Sequence, residues 1–311
     1  MARQSPRILV SIVNWNSTDA LKVCLAGIAK LPNDEQPDVA VVDNHSTRDE
    51  FKIEPDVQKS LRSLTISKNK QNLGFAGGHN PHIRWAKQEG YDYIFLLNPD
   101  TEIIDMKLFV KLIDALEHSP KALGANPTIL RSVDPDIIWY GGGKLSLVTG
   151  YATHLRVGAQ PEAASIRPVS LLTGGCLAIA LRRAALEQLL LNEDYFVYWE
   201  DTDWCARAQK AGFQLLYVPK ALLLHHVSSS LGIRSPTYIY YNIRNHFLFA
   251  RRNMHPVYRP LAWLLIGWIS AKYKLNILFR YRQAKFQSLK ALWAAWLDGL
   301  SGRTGTTERN L

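Results

Sequence analysis

Cysteine is scarce in this 311-residue sequence, which has only Cys24, Cys176 and Cys205 at widely separated positions. Without neighbouring pairs, the sequence offers neither a disulfide framework nor a paired-cysteine zinc site. The scarcity favours a reducing, cytoplasmic setting. The rest of the composition, 47% hydrophobic and 21% charged, is that of an ordinary globular protein.

Long hydrophobic runs are also missing. The most apolar stretch, PLAWLLIGWISA at residues 260–271, has 12 residues, whereas a membrane-spanning helix needs about 20. Near the N-terminus only six residues, 8–13, form an apolar run before Asn14, which is short for a secretory signal. We therefore predict a first β-strand there and no transmembrane helix.

Acidic residues are nearly absent from one segment. Between Arg251 and Leu300 there are nine Lys or Arg residues and a single acid, Asp298, in a chain whose net charge is +10. The segment also contains four tryptophans and an apolar stripe with helical spacing. That stripe consists of Leu289, Leu292, Trp293, Trp296, Leu297 and Leu300.

Basic residues interleaved with Trp and Leu favour attachment to an anionic membrane surface. The alternative is a helical bundle that packs on the main domain and turns its Lys and Arg residues to water. No recognisable nucleic-acid module accompanies the charge, so no nucleic-acid partner is expected.

The first 130 residues alternate short apolar runs with helical patterns. The runs RILVSIVNWN, DVAVVDN, LRSLTIS and YDYIFLLNPD predict buried strands, and helices are predicted at 18–31, 79–90 and 104–119. This alternation predicts an α/β fold with a mainly parallel central sheet flanked by helices, whose ligands bind at the carboxyl ends of the strands. Three polar clusters follow those strands, at 14–16, 43–46 and 98–102, and we expect them to meet in one crevice.

The following residues are rich in turns and then change in composition. YGGGKLSLVTG predicts a hairpin, PVSLLTGGCLAIALRR another strand, and FQLLYVPKALLLHHVSSS an apolar segment after a helix that ends at Gly212. The shift near 235 divides the chain into an expected domain at 1–235 and a helical, basic C-terminal region at 236–311.

Two strand ends suggest nucleotide chemistry. Asp43 can accept a hydrogen bond from a base or a ribose hydroxyl, although an Asp-Asn pair also commonly forms a turn. The segment NKQNLGFAGGHN, at 69–80, has three glycines before a helical pattern, which suits a phosphate group. It lacks the spacing of GxGxxG and the GK[ST] of a P-loop.

A third strand end, LLNPDTE, suggests a divalent cation. Asp100 is the main candidate ligand for Mg²⁺ or Mn²⁺, and Asn98 is a weaker carbonyl ligand. The alternative is a simple turn at Pro99-Asp100. The tandem His225 and His226 end another apolar segment, and one of them can complete the coordination.

The segment YFVYWEDTDWCARAQKAG, at 195–212, carries Glu200, Asp201 and Asp203 next to four aromatic residues. Acidic residues at a helix start can serve as caps and complement the helix dipole. Capping does not explain the four aromatic residues just upstream. An Asp203–Arg207 pair, four residues apart, is expected along this helix.

Seven of these motifs, in order, resemble an inverting family 2 glycosyltransferase of the GT-A fold, most closely its rhamnosyltransferase-like branch. They are SIVNWN, VVDNHS, NLGFAGGHN, LLNPDT, TGGC, YWEDTDWCARAQKAG and HHVSSS. The resemblance covers residues 8–252, and ALWAAWLDGLSGRTG, at 291–305, resembles the C-terminal tail of the same branch. The sequence departs from a strict DXD metal motif by having Asn98 at the first position.

The resemblance implies roles for particular residues. Asp201 would be the catalytic base, with Glu200 beside it either hydrogen-bonding the acceptor or orienting the site. Asp100 with His225, in preference to His226, would bind Mg²⁺ or Mn²⁺. Donor-binding residues would be Asn14, Asn16, Asp43, Asn44, Asn72, Gly74, Phe75, Gly77, Gly78, Asn80 and Asn98. Acceptor-binding residues would be Thr173, Gly174, Gly175 and Trp199.

The resemblance also implies a reaction and a location. The expected activity is transfer of L-rhamnose or a related sugar from a dTDP or UDP donor to a lipid-linked glycan, at the inner face of the cell membrane. The alternatives are transfer from another UDP-sugar, such as galactose, glucose or N-acetylglucosamine, and a non-catalytic module that binds nucleotide sugar or polysaccharide.

Overall fold

The fold is an α/β sandwich with a helical C-terminal addition. The computed structural model describes residues 5–48, 51–162, 164–226, 235–280, 284–307 and 309. The strands are β1 (Ile8–Asn14), β2 (Asp38–Asp43), β3 (Leu64–Lys68), β4 (Tyr93–Leu97), β5 (Thr101–Glu102), β6 (Ala122–Arg131), β7 (Asp134–Tyr140), β8 (Gly143–Leu145), β9 (Ala152–His154), β10 (Arg167–Val169), β11 (Cys176–Ala180) and β12 (Gln214–His225). The helices are α1 (Thr18–Ala29), α2 (Pro55–Ser60), α3 (Gly74–Gln88), α4 (Leu108–Glu117), α5 (Leu186–Leu189), α6 (Glu200–Lys210), α7 (Pro236–Asn253), α8 (Arg259–Arg280) and α9 (Lys285–Ser301).

The large sheet has the strand order β10-β12-β6-β11-β4-β1-β2-β3, with β5 added to β12 and β7 to β6. β1 pairs in parallel with β2 and β4, and β2 pairs in parallel with β3. β11 lies antiparallel between β4 and β6, and β12 is parallel to β6. The α/β fold with a mainly parallel central sheet is therefore confirmed.

Both faces of the sheet are covered, which explains the continuous apolar runs of the central strands. On one face, Leu21 and Leu25 of α1 and Leu112 of α4 are fully buried in the core. On the other face, Ile83 of α3 and Trp204 of α6 are equally buried. The predicted hairpin is present as β8 and β9.

Predicted element boundaries differ from the structure at two places beside the cleft, apart from the later start of α4, at Leu108 instead of residue 104. α3 begins at Gly74 instead of residue 79, so the glycine-rich segment is the first part of the helix. The strand predicted within 168–183 is divided into β10 and β11. The break is held by Asn126, whose side chain bonds both the N–H and the carbonyl of Thr173. This turn then faces the cleft described below.

α7 begins at Pro236, next to the predicted boundary at 235, but it shares the core of the main domain. Leu248, Phe249 and Ala250 are buried in the same cluster as residues of β1, β4 and α6. α9 packs on α7, and Trp296 lies edge-to-face on Phe247 with ring centroids 5.0 Å apart. The division of the chain at 235 stays a prediction. α7 follows that boundary in the sequence, but it packs in the core of the main domain and also against α9.

The apolar stripe predicted for α9 has two faces. Leu292 is buried, and Trp296 is partly buried and donates to Ser270 of α8. Trp293, Leu297 and Leu300 are exposed. Within the described ranges, no helix combines the length and apolarity needed to cross a membrane.

Candidate active site

A wide cleft of about 1660 Å³ lies at the carboxyl ends of the parallel strands. Because β2, β1 and β4 are neighbours in the sheet, the polar segments that follow them meet at this edge. Trp15, Asn44 and Asp100 each line the cleft, one from each of the three clusters. The expected crevice is therefore confirmed.

The ends of β1 and β2 are joined by polar side chains behind the cleft wall. The Asp43 carboxylate accepts hydrogen bonds from Ser46 at 2.6 Å and from Asn14 Nδ2 at 3.3 Å. The Asn16 side chain accepts from the N–H groups of Thr47 and Arg48 at 2.8 and 2.9 Å. Asn14, Asn16 and Asp43 thus hold the loops in place, and their neighbours form the cleft surface.

The loop before α3 is fixed by Asn44. Its Nδ2 donates to Asn72 Oδ1 at 2.9 Å and to the Gly74 carbonyl at 3.0 Å, and its Oδ1 accepts from the Leu73 N–H. Asn44, Asn72, Gly74 and the next residue, Phe75, all line the cleft. This is the wall on which the sequence placed the donor.

Not every residue of the glycine-rich segment reaches the cleft lining. Gly77 and Gly78 are buried, and a β-carbon at either would meet Leu73 or Val13 at 2.7 Å. The Asn80 side chain bonds both backbone groups of Leu191. These three positions pack α3 against its neighbours, and the structure does not bring them together with the cleft residues.

The antiparallel pairing of β5 with β12 places a histidine beside Asp100. His225 is opposite Thr101 in the register, and its Nε2 lies 3.0 Å from Asp100 Oδ1. His226 turns away and pairs with Glu102 at 2.9 Å. Asp100, His225 and Asn98 line the cleft, whereas Ser228–Ser230 of the HHVSSS motif lie outside the described residues.

Asp100 and His225 fit a divalent cation as a two-residue protein contribution. In the described part of the chain, no cluster of three or more His, Cys, Asp or Glu residues is arranged to hold a metal. His225 is buried, and its Nδ1 has no hydrogen-bond partner, so the imidazole retains bonding capacity. A carboxylate and an imidazole at hydrogen-bond distance leave the remaining ligand positions to substrate phosphates and water, as is usual for Mg²⁺.

α6 begins with the two candidate catalytic carboxylates, which have different surroundings. Asp201 is half-buried in the cleft, where its Oδ2 accepts from the Gly174 N–H at 3.0 Å. Glu200 is buried, and its Oε2 has no hydrogen-bond partner. Burial, and then the charge of Asp201, raise the pKa of Glu200 well above its ordinary value. The raised pKa favours the neutral form of Glu200, whereas Asp201 carries its carboxylate at the cleft.

Asp203, the third acid of the cluster, has a structural role. It is buried and bonds Arg207 Nε at 2.7 Å, which confirms the expected i, i+4 pair. It also accepts from the Tyr195 hydroxyl and from Asn253. The N-cap residue of α6 is Trp199, which makes no side-chain capping bond. Asp201 does bond a first-turn N–H, since its Oδ1 accepts from Thr202 at 2.6 Å, and all three acids lie in the first turn, so bonding to the helix start accounts for part of the cluster.

The candidate acceptor residues lie together. Thr173, Gly174, Gly175 and Trp199 all line the cleft. A β-carbon at Gly174 would meet the tip of the Phe75 ring at 2.7 Å, so this turn approaches the cleft wall at Phe75 closely. The Trp199 ring stacks on His246 of α7, with centroids 4.4 Å apart.

Sequence reasoning missed a large part of the cleft wall. Trp139 and His154 line it from the region of β7 to β9, and a further wall comes from α7 and the chain end. That wall consists of Ser235, Thr237, Tyr238, Tyr241, Asn242, Thr306, Thr307 and Arg309. The available signal was the unusual mixture of aromatic and amide residues in YIYYNIRNH, at 238–246.

Two proteins with similar sequences are named as rhamnosyltransferases. An N-acetylglucosaminyl-diphospho-decaprenol L-rhamnosyltransferase of Mycobacterium tuberculosis is 29% identical over 64% of this chain and 68% of its own. A dTDP-rhamnosyl transferase RfbF of Shigella flexneri is 24% identical over 86% of this chain and 87% of its own.

Among solved structures, GalNAc-T7 with UDP, GalNAc and Mn²⁺ has a TM-score of 0.61 at 14% identity and covers 90% of this chain. The match spans only 58% of the GalNAc-T7 chain. The mannosyltransferase PcManGT from Pyrobaculum calidifontis, in complex with GDP-Man and Mn²⁺, has a TM-score of 0.57 at 17% identity over 95% of this chain and 87% of its own. These similarities show the fold.

The family comparison is decisive because it covers more than half of the chain. The family model described as Glycosyl transferase family 2 matches residues 9–189, which include β1 to β4, the Asp100 strand end and the turn at Thr173. The chain therefore belongs to glycosyl transferase family 2, and within it resembles the rhamnosyltransferase-like branch.

Proposed function

We propose that this glycosyltransferase moves L-rhamnose, or a closely related sugar, from a dTDP or UDP donor to a hydroxyl group of a lipid-linked glycan. The observation that carries the proposal is the placement of Asp201 in the cleft, between the donor wall at Asn44 and Asn72 and the polar wall of α7. The rhamnosyltransferase names of both relatives support the choice of sugar.

The reaction proposed is a single displacement with inversion. Asp201 accepts the proton of the acceptor hydroxyl as that oxygen attacks the anomeric carbon of the donor. The bond from the anomeric carbon to the diphosphate oxygen breaks, and the nucleoside diphosphate leaves with the electron pair. Protonated Glu200 is a hydrogen-bond donor beside the base, and the Gly174 N–H orients the Asp201 carboxylate.

A divalent cation fits the proposed donor side. Asp100 and His225 would hold it, and Mn²⁺ in the two neighbouring structures supports this assignment. When bound, such a cation stabilises the negative charge of the departing diphosphate. Asn98 acts through its backbone to hold the loop that carries Asp100. Its N–H donates to the Gly175 carbonyl at 3.1 Å, and its own carbonyl accepts from the Thr101 hydroxyl at 2.7 Å.

The C-terminal helices are proposed to attach the enzyme to the inner face of an anionic membrane. Most of the exposed apolar residues of α8 follow one helical stripe, at Leu261, Leu264, Trp268, Leu275 and Phe279, whereas Trp263 and Leu278 are exposed beside it; those of α9 follow another stripe, at Phe286, Trp293, Leu297 and Leu300. Basic residues border both stripes, and Lys272 lies over the Trp268 ring at 3.5 Å. Apolar side chains flanked by lysines are suited to the headgroup region of a bilayer.

The activity is tested with purified protein, Mn²⁺, a panel of dTDP- and UDP-sugars and a short-chain prenyl-diphosphate-linked sugar as acceptor. We expect transfer with dTDP-L-rhamnose, and NMR of the product should show an inverted anomeric centre. Transfer only from UDP-galactose, UDP-glucose or UDP-N-acetylglucosamine would replace the proposed donor. Binding of a donor without turnover on any acceptor would instead favour the non-catalytic module.

A further inference from the structure

The segment that delivers the two carboxylates into the cleft has an unusual backbone. Phe196, Tyr198 and Trp199 have φ angles of +66°, +65° and +77°, in the left-handed region that non-glycine residues rarely adopt. Such conformations cost of the order of 1–3 kcal/mol each and persist only where the surroundings enforce them. Residues 196–199, called here the catalytic loop, immediately precede Glu200 and Asp201.

Three of the hydrogen bonds that hold this backbone come from one side chain of α7. The Asn245 Nδ2 donates to three backbone carbonyls, those of Tyr195 at 2.9 Å, Val197 at 2.8 Å and Tyr198 at 2.8 Å. Asn245 is fully buried, so no water replaces these bonds if they are lost. Of the two other loop carbonyls, that of Phe196 accepts from the Phe75 N–H at 2.8 Å and that of Trp199 accepts from the Asp203 N–H of α6 at 2.8 Å.

Arg244 fixes the orientation of that amide. Its Nε donates to Asn245 Oδ1 at 2.6 Å, and because a guanidinium group cannot accept hydrogen bonds, the amide oxygen must face Arg244 and the NH₂ group the loop. Arg244 also donates to the Tyr195 carbonyl at 3.0 Å and to the Gly305 carbonyl at 2.9 Å. One buried arginine therefore joins the catalytic loop to the chain end that forms the far wall of the cleft.

We propose that Asn245 and Arg244 are positioning residues for sugar transfer, which act by holding the catalytic loop so that Asp201 is presented to the acceptor hydroxyl. The inference rests on the proposed role of Asp201 as base. It makes α7 part of the catalytic apparatus although it contributes no reacting group. Displacement of a catalytic group by about 1 Å can cost ~10²-fold in rate, so a small shift of this loop has a large effect on turnover.

The test compares Asn245→Asp with a matched variant at Gln36, which lies just before β2. Asn245→Asp keeps size and the acceptor for Arg244 but removes the two N–H donors. Gln36 is also a buried side-chain amide that donates to three backbone carbonyls, those of Ala29, Leu31 and Ser60. Gln36→Glu makes the same chemical change at the start of β2, away from the cleft. Asn245→Ala removes the donors without adding charge and serves if Asn245→Asp does not fold.

We expect both variants to lower Tm, and only the Asn245 variant to lower kcat, by ~10²-fold, with donor affinity unchanged. Hydrogen exchange should rise in the peptide covering 195–203 in Asn245→Asp and not in Gln36→Glu. In an Asp201→Asn background, Asn245→Asp should lower the residual rate far less, because residues that act as a unit are not additive. Equal losses of kcat in the two amide variants, or independent multiplicative effects of positions 245 and 201, would overturn the proposal.

Failure of the proposed function has a different signature. In that case Asp201→Asn would transfer sugar at the wild-type rate, or the wild-type protein would transfer none. A normal Asp201→Asn rate with a reduced Asn245→Asp rate would also overturn the positioning role, since the loop would then act through another group.

Discussion

The strand-end half of the cleft and the helical half are built in opposite ways. Around β1, β2 and β4, apolar side chains fill the core and polar ones emerge at the strand ends. In α7 to α9, by contrast, Arg244, Asn245 and Asp298 are buried, whereas Leu264, Phe279 and Phe286 are each 73–80% exposed.

The difference indicates what each half is adapted to. Burial of an arginine or an aspartate is costly unless its bonds are satisfied, and here Asp298 accepts from the Tyr240 hydroxyl at 2.8 Å and pairs with Arg309 at 2.9 Å. Large apolar side chains exposed on one stripe are typical of a surface that binds something other than water. The strand-end half is thus suited to chemistry, and the helical half to supporting the loop and binding a surface.

The largest effect is expected at Asp100, the proposed metal ligand of the strand-end half. Asp100→Ala and EDTA treatment should each abolish transfer, because the charge on the departing diphosphate loses its counter-charge. His225→Ala should raise the Mn²⁺ concentration needed for half-maximal activity far more than His226→Ala does. Glu102→Ala is the matched control for Asp100→Ala. Titration of activity with Mn²⁺ measures this, and full activity in excess EDTA would exclude the metal assignment.

The next effect separates the two adjacent carboxylates. Asp201→Asn should lower kcat by ~10²–10⁴-fold, the usual contribution of a general base. Donor binding, measured by calorimetry, should survive. Glu200→Gln should cost less, since a protonated carboxyl and an amide both donate. A near-normal turnover in Asp201→Asn, or loss of its donor binding, would reassign Asp201 as a structural residue or a donor ligand.

A smaller effect is expected in the helical half. Leu264→Glu and Phe279→Glu should each lower binding to anionic vesicles by ~10–10²-fold, because burying such a side chain contributes about 1.5–3 kcal/mol. Turnover on a short-chain acceptor should not change. Val133, 91% exposed in the β6–β7 turn, is the control position for Val133→Glu. Co-sedimentation at low and high salt measures binding, and indifference of wild type to vesicles would remove the membrane proposal.

The smallest effect is on stability and follows from the raised pKa of Glu200. A carboxyl whose pKa is higher in the folded than in the unfolded state contributes stability at low pH that is lost as pH rises through the folded value. Glu200→Gln has no such loss. Relative to wild type, its Tm should therefore increase as pH rises above the ordinary value of 4.5 and show no added advantage below it. A Tm difference independent of pH would contradict the buried, protonated state.

Much of the strand-end half was predictable because local patterns suffice there. The apolar runs of β1, β2 and β4 and the polar residues that follow them place Asn44 and Asp100 at one edge of a parallel sheet. The patterns did not separate residues that line the cleft from Asp43, which bonds the Ser46 and Asn14 side chains, or from Asn80, which bonds the Leu191 backbone. That distinction depends on which side of a turn each side chain takes after packing.

The sequence by itself determined the α/β fold, the crevice at the strand ends, the acidic pair at the start of α6 and the basic, tryptophan-rich C-terminal region. Each of these features depends on residues that are close together along the chain. Only the tertiary structure decided that His225 and not His226 meets Asp100, that Trp296 faces inward and Trp293 outward, and that Asn245 holds the catalytic loop. Those contacts join groups that are dozens of residues apart or differ by one step of register, and they are selected by the packing of whole elements, which no local spacing encodes.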